Sequence, residues 1–321
     1  MFMDAAVVHT LGNRPRCEQF PEPVAGANEV VVRVLAASLK PVDKQMASGS
    51  HYASPRTVPF ICGTDGVGLL ENGERVFFGG CRTPYGAMAQ RTVVAKAFVF
   101  PIPVGLSDES AAALPNPGVS AWLTLTFRAR LRPGENVLVL GATGVTGSLA
   151  VKIAKLLGAG RVVAAGRNQQ VLQALLQHGA DAIIRLDMPV EDITESFIRE
   201  AGKSGFHVVI DYLWGQPTEA FLSAITRVGF AEIGTETRLV QVGESAGPTI
   251  SLPAAVLRST ALTILGTAGI PPGDMLVNAL QEVLSRGANG ELHLATQRMP
   301  LADIGSAWEH SPSTARIVII P

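Results

Sequence analysis

The stretch Leu140-Gly141-Ala142-Thr143-Gly144-Val145-Thr146-Gly147, directly after the apolar run Asn136–Leu140, decides the fold of this chain. A strand that leads into closely spaced glycines and then a helix is the usual cradle for a dinucleotide pyrophosphate. Glycine permits the tight turn and the close approach of the backbone, and the helix start adds free N–H groups. We therefore predict that residues 141–147 bind a dinucleotide. Since the stretch lies near the middle of the 321 residues, we expect a sizeable domain before it.

The composition is that of a globular protein with a large core. Hydrophobic residues make up 47% of the chain and charged residues 17%. The net charge is -1 and the chain has no cluster of basic residues, so we expect no nucleic-acid partner. The three cysteines cannot build a disulfide framework, which favours a reducing compartment. No signal-peptide pattern and no apolar run of about 18 residues is present. We expect a cytoplasmic protein that does not enter a membrane.

Up to about residue 117 the chain has the pattern of short strands between Pro and Gly turns. The predicted strands are Asp4–His9, Glu29–Leu35, Arg75–Phe78 and Val93–Phe100. This pattern predicts a compact β-rich domain with few helices. The strand-like tail Ala315–Ile320 is expected to return to this domain and close its sheet, which would make the domain discontinuous, over residues 1–117 and 269–321.

Between residues 118 and 268 the pattern changes to strands that alternate with helices. The predicted strands are Asn136–Leu140, Arg161–Ala165, Ala182–Arg185, His207–Tyr212, Arg238–Gly243 and Leu262–Gly266. Helical patterns cover Ser148–Leu157, Gln169–His178 and Pro217–Arg227, and after residue 268 a last helix, Asp274–Ser285, leads to the C-terminal strand. Such alternation predicts an α/β domain with a doubly wound parallel sheet of the Rossmann type.

The end of the second strand of this domain predicts the cofactor. An NAD enzyme usually carries Asp or Glu there, to accept a hydrogen bond from the ribose 2′-hydroxyl. This chain reads Ala165-Gly166-Arg167-Asn168, and a guanidinium can bind a 2′-phosphate that a carboxylate would repel. We therefore predict NADPH, with Gly166, Arg167 and Asn168 at its adenosine end. The alternative, in which Arg167 is an ordinary solvated arginine, stays open.

Several segments match one known family in its order along the chain. Ala36–Asp43 resembles the family pattern Ala-x-x-x-Asn-Pro-x-Asp, and Val58–Gly68 resembles Pro-x-x-Pro-Gly-x-Asp-x-x-Gly. Tyr85–Gln90 resembles the strand Gly-x-x-Ala-Glu, and Ala112–Trp122 resembles the helix before the cofactor domain. On these segments the chain resembles the zinc-free, quinone oxidoreductase (zeta-crystallin-like) branch of the medium-chain dehydrogenases/reductases.

The resemblance implies a GroES-like catalytic domain joined to the nucleotide domain, with the active site in the cleft between them. It also implies NADPH-dependent reduction of a quinone or an activated alkene. Tyr52 matches a pocket tyrosine of the family. By the same resemblance, the residues that should line the nicotinamide side of the cofactor are Ser120, Val242, Gly243, Glu244, Gly266, Thr267 and Ala268.

The chain departs from the family pattern at Lys40, where asparagine is usual. An ammonium only donates hydrogen bonds, whereas an amide also accepts them, so the role of asparagine is not transferable. Lys40 either stabilises a developing enolate or hydroquinone anion, or points into solvent. We take Tyr52 and Lys40 as candidates for contact with the substrate carbonyl, and Asp43 as the residue that organises their loop.

Zinc dehydrogenases need a cysteine near position 40 and a His-Glu pair about 20 residues later, where this chain has Lys40 and Gly63-Thr64-Asp65. We therefore predict no metal. Cys62 is either a reactive thiol or a small buried hydrophobic residue.

The predicted reaction is hydride transfer from NADPH to a quinone or similar conjugated carbonyl. Two alternatives stay open: an enone or 2-alkenal double-bond reductase, and an NADPH-binding sensor with little turnover. Relatives pair the edge strands of their nucleotide domains, so the apolar segment Leu262–Leu265 is a candidate edge for a homodimer.

Overall fold

The chain divides into two units in the computed structural model, which describes residues 1–227, 236–267, 271, 274–310 and 315–321. The first unit comprises Met1–Asn116 and Glu282–Pro321, and the second comprises Pro117–Gln281. The strands are β1 (Phe2–Val8), β2 (Arg16–Pro21), β3 (Glu29–Ser38), β4 (Phe60–Ile61), β5 (Asp65–Leu69), β6 (Arg75–Gly79), β7 (Arg91–Ala95), β8 (Val99–Pro101), β9 (Asn136–Leu140), β10 (Arg161–Gly166), β11 (Ala182–Arg185), β12 (Val208–Asp211), β13 (Thr237–Gln241), β14 (Leu262–Gly266), β15 (Ala295–Pro300) and β16 (Ala315–Ile320).

The helices lie mostly in the second unit. They are α1 (Pro41–Ser48), α2 (Asp108–Ala113), α3 (Pro115–Leu123), α4 (Val145–Leu156), α5 (Gln169–Leu176), α6 (Val190–Ala201), α7 (Gly215–Arg227), α8 (Ala254–Ser259), α9 (Met275–Ala288) and α10 (Ile304–Glu309). A π-helical turn, Thr124–Arg128, continues α3. Among the described residues, no helix is long and apolar enough to span a bilayer.

The first unit is built from two sheets. One has the strand order β2-β1-β4, and the other has the order β15-β16-β3-β5-β6-β8, with β7 also paired to β3. The predicted C-terminal strand does return to this unit, because β16 pairs antiparallel with β3 and places Val318 opposite Ser38. Inward-facing side chains such as Val32, Phe78 and Ile319 form the core of the unit.

The second unit is a parallel sheet with the order β11-β10-β9-β12-β13-β14. The chain starts in the middle at β9, moves outward to β11, and then crosses back to β12, which is the doubly wound Rossmann topology. Apart from Asn136 at the start of β9 and Asp211 at the end of β12, these central strands are apolar and buried on both faces, as is usual in parallel sheets. Phe197 of α6 and Phe221 of α7 pack edge to face under the sheet, with ring centroids 5.8 Å apart. The predicted fold class is confirmed.

The sequence predicted part of the local structure incorrectly and missed several elements, among them β2, β4, β15 and α8. The predicted strand Val93–Phe100 is two strands, β7 and β8, separated by a 3₁₀ turn at Lys96–Phe98. Strand β5 was missed because it contains two glycines. A Cβ at Gly66 would lie 2.7 Å from the carbonyl oxygen of Ala36, so β5 needs a glycine there to approach β3. Helix α6 was missed as well.

Candidate functional site

The glycine turn joins β9 to α4, as the sequence predicts, and two of its glycines are required by the fold itself. Gly141 has φ +85°, in the left-handed region that favours glycine. A Cβ on Gly147 would collide with the carbonyl oxygen of Gly141, so glycine is needed for the helix to pack this closely on the turn. Both residues therefore set the geometry of the turn.

Gly144 is different, because nothing in the described chain requires glycine at that position. Its backbone is extended (φ −83°, ψ 166°), and a Cβ there would meet only the carbonyl oxygen of Gly141, at 3.5 Å. Gly144 is the N-cap of α4 and has no side chain to cap it, so the first N–H groups of the helix, at Val145, Thr146 and Gly147, are left for another acceptor. An open surface in front of uncapped N–H groups fits a dinucleotide pyrophosphate.

The end of β10 lies beside this turn. A Cβ on Gly166 would collide with the side chain of Thr143, so the glycine lets the two segments pack together. Arg167 follows and is exposed, and its side chain makes no hydrogen bond or ion pair within the described ranges. Asn168 caps α5, because its Oδ1 accepts a hydrogen bond from the N–H of Val171 at 3.2 Å. Arg167 is thus available to a ligand, whereas Asn168 is already used by the fold.

The residues predicted for the nicotinamide side follow β13 and β14, at the same carboxyl edge of the parallel sheet as the glycine turn. Gly243 donates to the carbonyl of Asp211 at 3.1 Å, and a Cβ on Gly243 would lie 2.8 Å from the carbonyl oxygen of Tyr212. Val242 is half-buried, and Glu244, directly after Gly243, is exposed. Gly266 ends β14, and Thr267 follows it. Ser120 is half-buried in α3, and Ala268 lies outside the described residues.

Two residues at the end of β12 were missed as site candidates. The carboxylate of Asp211 is buried and accepts hydrogen bonds from the N–H groups of Leu213 and Trp214 and from the hydroxyl of Thr218, so it holds the turn after β12. Burial raises the pKa of Asp211. The hydroxyl of Tyr212 is buried without a partner in the described part of the chain, and burial raises its pKa too. Because such a hydroxyl costs free energy unless something pairs with it, Tyr212 joins the candidate site.

In the first unit, the side chain of Lys40 does not reach solvent. The alternative prediction, that Lys40 points into solvent, is therefore wrong. The side chain is fully buried, and the ammonium donates to the carbonyl of Ser38 (3.1 Å) and to Oδ1 of Asp65 (2.9 Å). Oδ2 of Asp43 lies 3.4 Å from the same Nζ. Lys40 is the cation of a buried charge cluster.

Asp43 completes that cluster from the first turn of α1. Its carboxylate accepts from the backbone N–H of Lys40 at 2.8 Å and from the N–H of Thr64 at 3.1 Å. It therefore ties the start of α1 to the turn before β5, as expected of a residue that organises its loop. Burial and the nearby Asp65 raise the pKa of Asp43. Burial opposes the charge of Lys40, but the two carboxylates outweigh it and raise the pKa of Lys40.

A second cation, Arg316 of β16, lies close to the same cluster. It is buried, and Nη1 donates to the carbonyl of Leu39 at 3.2 Å. Burial lowers the pKa of Arg316, and the charges of Asp43 and Asp65 oppose that shift. Two cations thus balance two carboxylates inside the β-rich unit.

Tyr52, the third catalytic candidate, is not part of this cluster. Its side chain is 97% exposed, and its ring stacks on His51 with centroids 4.1 Å apart. The structure therefore brings Lys40 and Asp43 into contact with each other and leaves Tyr52 free to meet a ligand.

Cys62 lines a cavity of about 200 Å³ in the first unit, together with Asp43, Thr64, Cys81 and Tyr85. Burial, with a smaller effect from Asp43, raises the pKa of the Cys62 thiol far above its usual value. A thiol in that state is a poor nucleophile at neutral pH, which favours the interpretation of Cys62 as a small buried hydrophobic residue. Within the described ranges, no three His, Cys, Asp or Glu side chains are grouped as a metal site needs.

Comparison with known proteins agrees with this geometry. A family model described as zinc-binding dehydrogenase matches residues 145–285. The quinone oxidoreductase of Lama guanicoe is 31% identical over 203 residues, which cover 60% of this chain and 59% of that protein. The quinone oxidoreductase from Thermus thermophilus, solved alone and with NADPH, is 30% identical, with a TM-score of 0.79 over 99% of this chain and 100% of that one. A structure described as an NAD-dependent alcohol dehydrogenase is 26% identical, with a TM-score of 0.84 over 99% and 100% of the two chains.

A doubly wound nucleotide unit, together with a discontinuous β-rich unit of the GroES-like type, defines a medium-chain dehydrogenase/reductase. Within that class the chain belongs to the zinc-free, quinone oxidoreductase-like family, as its sequence motifs indicated. It is therefore a member of a family of oxidoreductases, with a site for a nicotinamide cofactor. The match to the zinc-binding family model begins at residue 145, after the positions at which zinc dehydrogenases carry their catalytic ligands.

Proposed function

We propose that this protein is an NADPH-dependent, zinc-independent reductase that transfers a hydride to a quinone or a similar conjugated carbonyl compound. The observation that carries the proposal is the carboxyl edge of the parallel sheet. There, the open surface at Gly144 faces uncapped N–H groups, and the exposed Arg167 stands where an NAD enzyme would carry a carboxylate. The quinone oxidoreductases among its relatives support the acceptor class.

Each part of the cofactor has a proposed partner. The N–H groups of Val145, Thr146 and Gly147 would hold the pyrophosphate, and Arg167 would bind the 2′-phosphate through paired hydrogen bonds. On the nicotinamide side we propose Ser120, Val242, Gly243, Glu244, Gly266, Thr267 and Ala268. When bound, NADPH supplies a hydride from C4 of its nicotinamide ring.

The state of Lys40 favours a quinone over an enone. Hydride addition to a quinone gives a hydroquinone anion that is stable enough to take its proton from solvent. Reduction of an enone gives a more basic enolate, which must be protonated on carbon and therefore benefits from a positioned acid. Lys40 is fully buried and bound to Asp65 and Asp43, so we assign it and Asp43 to positioning the loop around α1. We propose Tyr52 as the contact to the acceptor carbonyl.

We further propose that the protein is a homodimer through β14. This strand is the last in the order of its sheet and pairs with β13 on one side. An edge strand presents unpaired N–H and C=O groups, which a second copy of the same strand can complete around a two-fold axis.

The proposed activity is tested by following NADPH absorbance with a panel of quinones and enones. Oxidation with quinones at a higher kcat/KM than with enones is expected, and a metal chelator should not change the rate. Tight binding of NADPH without oxidation by any acceptor would instead indicate a binding protein.

The cofactor assignment is tested with Arg167→Gln and Arg167→Glu. Loss of a charge-assisted bond to phosphate should raise the KM for NADPH about 10- to 100-fold and leave the KM for NADH nearly unchanged. Glutamate should reverse the preference, because it repels the phosphate and can accept from a ribose hydroxyl. Arg199→Gln, an exposed arginine on α6, is the matched control. An unchanged NADPH:NADH ratio in the Arg167 variants would overturn the assignment.

A further inference from the structure

A second cavity, of about 570 Å³, lies in the nucleotide unit but at the other edge of its sheet. It is bordered by Glu135, His207 and Arg238, which lie at the amino-terminal ends of β9, β12 and β13. The glycine turn is at the carboxyl ends of these parallel strands, about 15 Å away along a five-residue strand. Most of its lining is therefore remote from the glycine turn, and on one side the cavity reaches Thr263 and Leu265 of β14, the strand that ends at Gly266.

The charge in this cavity is mostly positive. Its lining includes four arginines and two glutamates, which are Arg128, Arg130, Arg132, Arg238, Glu135 and Glu236. Arg238 and Glu135 neutralise each other, with Nη2 of the arginine 2.5 Å from the carboxylate. The exposed guanidinium groups of Arg130 and Arg132 then outnumber the one remaining carboxylate, that of Glu236, and this balance favours an anion.

Part of this wall is held in place by hydrogen bonds to the backbone. Nη1 of Arg238 donates to the carbonyls of Ala129 (2.6 Å) and Arg130 (3.0 Å), and Nε of Arg128 donates to the carbonyl of Gly266 (2.6 Å). The turn that carries Arg130 is thereby fixed against the sheet before any ligand binds.

The backbone of Arg130 has a left-handed conformation, which usually favours glycine. It follows the end of the π-helical turn, where the N–H of Leu131 donates back to the carbonyl of Leu125 at 2.9 Å, and its φ is +50°. A residue that ends a helix in the left-handed conformation is usually glycine, because a Cβ is strained there. The side chains of Arg130 and Arg132 are exposed and make no hydrogen bond or ion pair with any described residue. An outlier of this kind, with a side chain that the fold does not use, points to a ligand.

We propose that this cavity is a binding site for a phosphorylated small molecule, with Arg130 and Arg132 as its principal ligands. A guanidinium presents two parallel N–H groups that match two phosphate oxygens, and two such groups on one fixed turn match a diphosphate better than a single charge. The volume is in the range of small-molecule sites.

The test is isothermal titration calorimetry with inorganic pyrophosphate at constant ionic strength, in the presence of excess NADPH so that the glycine turn is occupied. The wild-type chain should bind pyrophosphate, and Arg130→Gly and Arg132→Ala should each weaken that binding at least tenfold. Arg258→Ala, an exposed arginine on α8, is the matched control and should bind as the wild type does.

Arg130→Gly separates a lost ligand from a damaged fold. Because glycine suits φ +50°, this variant should melt at a temperature equal to or above that of the wild type while it loses pyrophosphate binding. Absence of pyrophosphate binding by the wild type, or unchanged binding by Arg130→Gly, would overturn the site. Citrate that binds more tightly than pyrophosphate in the same titration would overturn the assignment to phosphate.

Discussion

Replacement of Lys40 by methionine is the most informative single change in the β-rich unit. Methionine keeps much of the length of the side chain and removes its charge. The ammonium has four oxygens within 3.5 Å, two on Ser38 and one each on Asp43 and Asp65, and none of its side chain is exposed. The substitution therefore leaves two buried carboxylates with Arg316 as their remaining cation.

The expected loss of stability follows from this burial. Removal of one partner from a buried ion pair costs about 3–5 kcal/mol, because the remaining charge is left without compensation in a medium of low dielectric constant. For Lys40→Met we expect a loss in this range. The side chain of Asp65 is 11% exposed and retains some hydration, so the loss of stability should lie nearer the lower end of this range. An exposed pair is worth about 0–1 kcal/mol, so Lys155→Met, which breaks the half-exposed Lys155–Asp181 pair, is the matched control.

The loss should also depend on pH, and in a defined direction. The pKa of Asp43 is already raised in the folded protein, and removal of the ammonium raises it further. A carboxyl whose folded pKa lies above its unfolded pKa binds a proton first in the folded state, so acid stabilises the fold between those two values. The stability difference between Lys40→Met and the wild type should therefore shrink as the pH is lowered, whereas the small loss in the control variant, which leaves no buried carboxylate uncompensated, should change less.

The assay is urea unfolding followed by the fluorescence of Trp308, which packs against the core of the β-rich unit, in a background with Trp122→Phe and Trp214→Phe. Addition of Asp65→Asn to Lys40→Met leaves one buried carboxylate opposite Arg316 and should recover more than half of the lost stability. A loss below about 1 kcal/mol, or a loss that is independent of pH, would refute the buried charge cluster as described.

Three further substitutions and one chemical modification test other parts of the structure. Gly144→Ala should fold normally and weaken NADPH binding about tenfold or more, as measured by fluorescence titration, whereas Gly147→Ala should lower the melting temperature because its Cβ collides with the turn. Cys62 should react with iodoacetamide at least about tenfold more slowly than the half-buried Cys17, as followed by mass spectrometry, since burial suppresses its thiolate. Under the proposed function, Tyr52→Phe should raise the KM for the acceptor without changing the KM for NADPH; equal changes in both would contradict its role.

The sequence predicted the nucleotide unit better than the β-rich unit, and the reason is physical. Strands such as β9, β11 and β14 begin and end at the predicted residues, because each is a short, mostly apolar run bounded by turns. The β-rich unit contains strands that no local sequence pattern predicts. Strand β2 carries mostly polar, half-exposed residues, and β5 carries glycines that only its pairing with β3 explains. Helix α6 did carry a signal, since Glu191 and Asp192 lie in its first turn, where acidic residues suit the helix dipole.

The same distinction separates the two candidate sites. The requirement for glycine at positions 141 and 147 arises within one turn, from a φ value and a contact six residues away, so the residue types alone reveal it. The role of Lys40 depends on Asp65, 25 residues later in another strand, and on Arg316 at the far end of the chain. No periodicity joins these positions. The available signal was the pair of acidic residues in the family motifs themselves, Asp43 and Asp65. A lysine placed where asparagine is usual, close to two carboxylates that the fold must bury, is more economically explained as their counterion than as a catalyst.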